Sequence, residues 1–173
     1  MSDKREKDAL ISKARHNLKN PVNAILGFSE MLLEDCEDEG HNEFLSDLSK
    51  INGAGREILK IIEDSFSDSN VMNLEQNVSD IATKLEISIR TPLNTIIGYS
   101  EMLQEDSEGI SIDTFEEDLE KIIKSGKALS KEIKNIISFD LVSEKQVGDM
   151  GTLAIRSVLT SIQPIEKDEI SKL

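Results

Sequence analysis

The chain reads as an all-α protein, an antiparallel four-helix bundle built from two duplicated helical hairpins, so that one chain makes a pseudo-dimer. Three observations predict this. Leu18–Ile62 aligns without gaps against Ile89–Ile133 with about 19 identities in about 45 positions, a level that marks internal duplication. Four long stretches carry apolar residues at alternating spacings of three and four, the seam of a supercoiled bundle. Aromatic residues are scarce, with five Phe, one Tyr and no Trp, so Ile and Leu must fill the core.

The first helical pattern runs from about Lys4 to Glu34 and places Ile11, Ala14, Leu18, Pro21, Ile25, Phe28 and Leu32 on one seam. The second, from about Asn42 to Asp64, uses Phe44, Leu48, Ile51, Ile58 and Ile62. The third, about Leu74 to Gln104, repeats the first at Ala82, Leu85, Ile89, Pro92, Ile96, Tyr99 and Leu103. The fourth, about Asp113 to Asp140, repeats the second at Phe115, Leu119, Ile122, Leu129 and Ile133. Pro21 and Pro92 lack an amide hydrogen and predict a kink, not a stop, because the seam stays in phase on both sides. Gly40 and Gly109 follow acidic stretches and predict hairpin turns. Asn42 and Asp113 are the expected N-caps of the returning helices. Gly53 and Gly55 lie inside a helical pattern and are candidates for close packing.

The organisation expected is a first hairpin over 1–66, a linker over 67–73, a second hairpin over 74–140, and a tail over 141–173. In the tail, Leu153–Ile162 has the pattern of a short helix that leads toward a further domain. The polar stretch Ser65–Asn73 reaches at most about 30 Å, ample for helices that pack ~8–10 Å apart. The second hairpin can therefore fold back on the first. A swapped dimer, with hairpins pairing between chains, is the alternative.

Composition excludes several classes. A net charge of −14 opposes nucleic acid. No apolar run reaches the ~20 residues of a membrane span. The N-terminal MSDKREKD has no apolar segment after its charges, unlike a secretory signal. A single cysteine, Cys36, excludes an internal disulfide and fits a reducing, cytoplasmic setting. His41 has no companions at metal-ligand spacing, so no metal site is expected.

The duplication singles out one position. Residues 16–32 read HNLKNPVNAILGFSEML and residues 87–103 read ISIRTPLNTIIGYSEML. His16 in the first copy is Ile87 in the second. Relative to Leu18 and Ile25, His16 stands two positions before a core site, about 200° round the helix, and should face solvent. A neutral, exposed imidazole can act as a nucleophile toward phosphorus. Lys13, Arg15 and Lys19 surround it. They could stabilise a phosphorylated ring or meet an acidic partner; equally, they could form a solvated helix face with i,i+4 partners.

These residues carry a resemblance. H-N-L-K-N-P at His16–Pro21, the following VNAILGFSEML and the second-helix segment Ile51–Asp64 resemble the dimerisation and histidine-phosphotransfer domain of two-component histidine kinases. The likeness covers about residues 8–64 and again 79–140. It implies that His16 accepts phosphate, and that a response-regulator receiver domain or a histidine kinase is the partner. The implied function is exchange of phosphoryl groups between His16 and a receiver aspartate. An acidic residue usually follows the histidine in that family; Asn17 stands here, which argues against autokinase chemistry. Asn20 matches a Thr/Asn position associated with placing water for receiver dephosphorylation, and is otherwise a surface amide before a proline. Ile87 cannot hold phosphate and is either a docking contact or a decayed site. No G-x-x-x-x-G-K-[ST] or G-x-G-x-x-G motif is present, so no ATP site and no autonomous kinase activity are expected. The rival readings are a helical stalk that passes a conformational signal to an output domain, and a fragment of a larger hybrid histidine kinase.

Overall fold

The computed structural model describes residues 2–67 and 78–146, and among them every regular element is a helix. Helix α1 (Ser2–Asp38) and helix α2 (Asn42–Ser65) form one hairpin; α3 (Val78–Glu105) and α4 (Phe115–Gln146) form the other. Each helix packs on two neighbours, α1 on α2 and α4, and α3 on α2 and α4. The order around the bundle is therefore the order of the chain. The last described turns of α4 run past the expected end at Asp140. Leu74, the linker over 68–73 and the short helix at Leu153–Ile162 lie outside the described residues.

The predicted seam is the core. Leu18, Ile25, Leu32, Leu48, Ile51, Ile58, Ile62, Leu85, Ile89, Ile96, Leu119, Ile122, Leu129 and Ile133 are buried to within a percent or so. Pro21 and Pro92 are buried inside helices that continue through them. Pro21 has no hydrogen to donate to the carbonyl of Asn17, four residues back. The carbonyl that lacks this backbone donor is thus that of the residue directly after His16.

The two hairpins are related by a pseudo-two-fold axis, and side-chain pairs mark it. Phe44 and its copy Phe115 pack against each other at a tilt of 51°, with ring centroids 5.4 Å apart. Lys50 lies 4.5 Å above the ring of Tyr99, and its copy Lys121 lies 5.1 Å from the ring of Phe28, the copy of Tyr99. Asp47 holds Lys50 at 2.7 Å and its copy Asp118 holds Lys121 at 3.2 Å. Lys121 also meets Glu117 at 2.9 Å; the Glu117 carboxylate, then Asp118, raises its pKa. Phe28 and Tyr99 were expected in the core, yet both are only half-buried, because each ring lies at the seam between hairpins under a lysine stem.

The turns show why the caps differ from expectation. Gly40 and Gly109 have φ of 80° and 93°, left-handed values that only glycine adopts at no steric cost. The His41 amide donates to the Cys36 carbonyl at 2.8 Å, the long bond of a Schellman turn. His41 closes α1 and at the same time flanks α2, so it, and not Asn42, occupies the cap position, with no side-chain cap bond. Asp113 is likewise not the cap: the Asp118 amide donates to the Thr114 carbonyl at 2.8 Å, and α4 starts where Phe115 reaches the core. The His41 ring joins the two tips, with Nδ1 3.3 Å from Glu43 and Nε2 3.2 Å from Ser111.

Gly55 is a close-packing residue and Gly53 is not. A Cβ on Gly55 would lie 3.0 Å from Leu26 Cδ2; one on its copy Gly126 would lie 3.3 Å from Leu93 and Ile97. Gly53 is exposed with nothing within 4 Å. Gly53→Ala is therefore expected to raise stability by about 0.5–1 kcal/mol through helix propensity, read as a higher denaturant midpoint at unchanged slope. No gain would mean that α2 is not helical at that point.

A buried polar network exists in one copy only. Asn52 donates to the buried Ser29 hydroxyl at 2.9 Å, Ser29 donates to the Leu26 carbonyl at 3.0 Å, and Arg56 Nε donates to Asn52 Oδ1 at 2.9 Å. In the second copy Ile123 replaces Asn52, and the buried Ser100 hydroxyl has no partner. The two serines should respond oppositely. Ser29→Ala leaves a buried amide unpaired and should cost about 1–3 kcal/mol, whereas Ser100→Ala should leave stability unchanged or raise it by up to about 1 kcal/mol. Equal losses in chemical denaturation would contradict this assignment.

Candidate functional site

Leu18, fully buried, and Pro21, buried beside it, fix the rotation of α1. His16 is therefore turned outward and is exposed. Its ring borders an open groove of ≈ 630 Å³ lined by Ser12, Arg15, His16, Lys19, Asn20, Asn23 and Glu63. The groove runs along α1 where α2 approaches it. It brings together four of the residues read from sequence: His16, Asn20, Arg15 and Lys19. Asn20 stands one turn beyond His16 on the same face, half-buried.

The three surrounding cations do not behave alike. Lys19 is anchored, its Nζ 2.8 Å from Glu63 on α2. Arg15 is exposed and lines the groove. Lys13 is half-buried and lies outside the groove lining. It shares a helix face with Asn17, four residues on, and Asn17 is turned the other way, donating to Glu132 on α4 at 3.1 Å. The residue after the histidine thus belongs to the α1–α4 contact and not to the groove. Glu63 and Glu132 were not legible beforehand, since both depend on how neighbouring helices are rotated. The duplication gave one hint: their counterparts are Lys134 and Ile61, so these positions changed character between copies.

Ile87, the counterpart of His16, is 66% exposed. The second copy therefore presents the same outward position without a nucleophile. Cys36 offers no alternative one. It is fully buried, and burial, helped by Asp35 and Glu43, raises its pKa to about 11. Among the described residues, no cluster of three or more His, Cys, Asp or Glu side chains could hold a metal ion, and no helix is long and apolar enough to cross a membrane.

The fold and site define a two-fold bundle of helical hairpins, closed within one chain, with a histidine projecting from its first helix. The model of the His Kinase A (phospho-acceptor) domain matches residues 6–70 and again 79–141. The chain belongs to this family and carries two tandem copies of its domain. Membership places it in two-component signalling, whose partners are kinases and response regulators. No curated protein and no solved structure matches the chain.

Proposed function

We propose that the chain is a phosphotransfer module in which His16 exchanges a phosphoryl group with the aspartate of a receiver domain docked on the α1–α2 flank. The observation that carries this reading is the exposed His16 on a polar groove, on a helix rotated by Leu18 and Pro21. The unprotonated ring nitrogen attacks phosphorus. An N–P bond forms as the aspartyl O–P bond breaks, and the carboxylate leaves with the electron pair. The ring keeps its other proton until that passes to water. Reversal returns the group to aspartate.

Such transfer needs positioning and charge stabilisation more than covalent help from other residues. Arg15 borders the place where the phosphoryl oxygens would lie. Lys19, held by Glu63, supplies a second cation whose position is set in advance. Asn20, one turn on, can orient the group or a water molecule. Asn17 is committed to Glu132 and takes no part in the groove, which fits a module that receives its phosphoryl group from a partner and not from ATP bound to itself.

The test is labelling of the full chain by its organism's receiver domains, each phosphorylated beforehand, and by its histidine kinases. The expected product is one acid-labile phosphoryl group per chain, located on the His16 peptide by mass spectrometry. Absence of label from every donor would leave the signal-transmitting stalk as the reading.

A further inference from the structure

We infer that the face centred on Ile87 is a second docking surface for the same class of partner, an acidic receiver domain, which it binds without being able to take its phosphoryl group. This rests on the reading of the His16 face as a receiver site. Three observations support it. The pseudo-two-fold axis, marked by Phe44 against Phe115 and by the lysine–ring pairs, relates the outer face of α3 to that of α1. The outward face of α3 keeps two residues of the α1 face beyond the lost histidine: Asn94 copies Asn23, two turns on, and Gly98 copies Gly27, three turns on. Both glycines are exposed, with nothing within 4 Å of an added Cβ. An exposed mid-helix glycine costs about 1 kcal/mol relative to alanine, so its presence at both sites fits close approach of a partner backbone better than it fits helix stability.

Charge gives the third argument and names the partner's chemistry. Around His16 the first copy has Arg15, Lys19 and Glu63; at the same places around Ile87 the second copy has Glu86, Arg90 and Lys134. Each set holds two cations and one carboxylate. The carboxylate has changed place, yet the positive balance persists in a chain of net charge −14. The acid that holds Lys19 on the first face is a lysine on the second, and Arg90 and Lys134 are both exposed. A basic rim around an isoleucine that is 66% exposed suits a partner with an acidic rim and an apolar centre.

The experiment counts receivers bound per full-length chain, by calorimetry and native mass spectrometry. The probes are the organism's receiver domains, locked with beryllofluoride so that no transfer occurs. Two bound receivers are expected, falling to one in Ile87→Glu, with second-site affinity weakened about tenfold or more by a carboxylate facing an acidic partner. His16 labelling should be unchanged in that variant. In a His16→Ala background, Ile87→His should regain phosphoryl uptake, which a face that docks nothing could not do. One receiver per chain, with His16 labelled and Ile87→His silent, overturns this inference and leaves the His16 reading intact. If no receiver binds or labels the chain, both fall.

Discussion

His16→Ala is expected to take up no phosphoryl group from any donor that labels the parent chain, while its unfolding midpoint stays within about 0.5 kcal/mol of the parent. The reasoning has two parts. His16 is exposed, makes no packing contact that the core depends on, and sits within a helix where alanine is the better former. The bundle should therefore keep its shape, and a lost signal reports lost chemistry. No other group can take over. The second copy has Ile87 at the equivalent place, Cys36 is buried with a raised pKa, and His41 is held at the hairpin tips by Glu43 and Ser111. Residual label on another histidine would remove His16 from its assigned role.

Phe115→Ala is expected to destabilise the whole protein by about 3–5 kcal/mol, in one cooperative transition. Phe115 is 1% exposed and packs edge-tilted against Phe44 from the other hairpin. Deleting it opens a cavity on the pseudo-two-fold axis, where neither hairpin can collapse without moving the other. Phe44→Ala should cost less, because that ring is only half-buried. The double variant should be less damaging than the sum of the singles by about 0.5–1.5 kcal/mol, the coupling of a direct ring pair. Strict additivity, or separate melting of the two halves, would mean that the hairpins do not share a core.

Much of this fold was legible because a repeated seam is a strong local signal. Leu18, Ile25 and Leu32 and their copies follow one period, and that phase alone turned His16 outward. The rest required three dimensions. Phe28 and Tyr99 fit the seam by spacing, but lysines from the adjacent hairpin claim their outer faces. Asn42 looked like a cap by residue type, yet a Schellman turn at Gly40 had already assigned that place to His41. Gly53 and Gly55 are indistinguishable in sequence; only the approach of Leu26 separates them. At the site, His16, Arg15 and Asn20 lie together as helical spacing requires. The partners Glu63 and Glu132 come from other helices, and their pairing with Lys19 and Asn17 depends on side-chain reach across interfaces that no local pattern encodes.

The contact of Phe44 with its own copy has a consequence for how the protein behaves at low abundance. Where two separate polypeptides must meet, dilution pulls the assembly apart, and related polypeptides can exchange partners. With both halves on one polypeptide, association becomes a first-order event governed by a fixed effective concentration. The melting temperature should not vary with protein concentration.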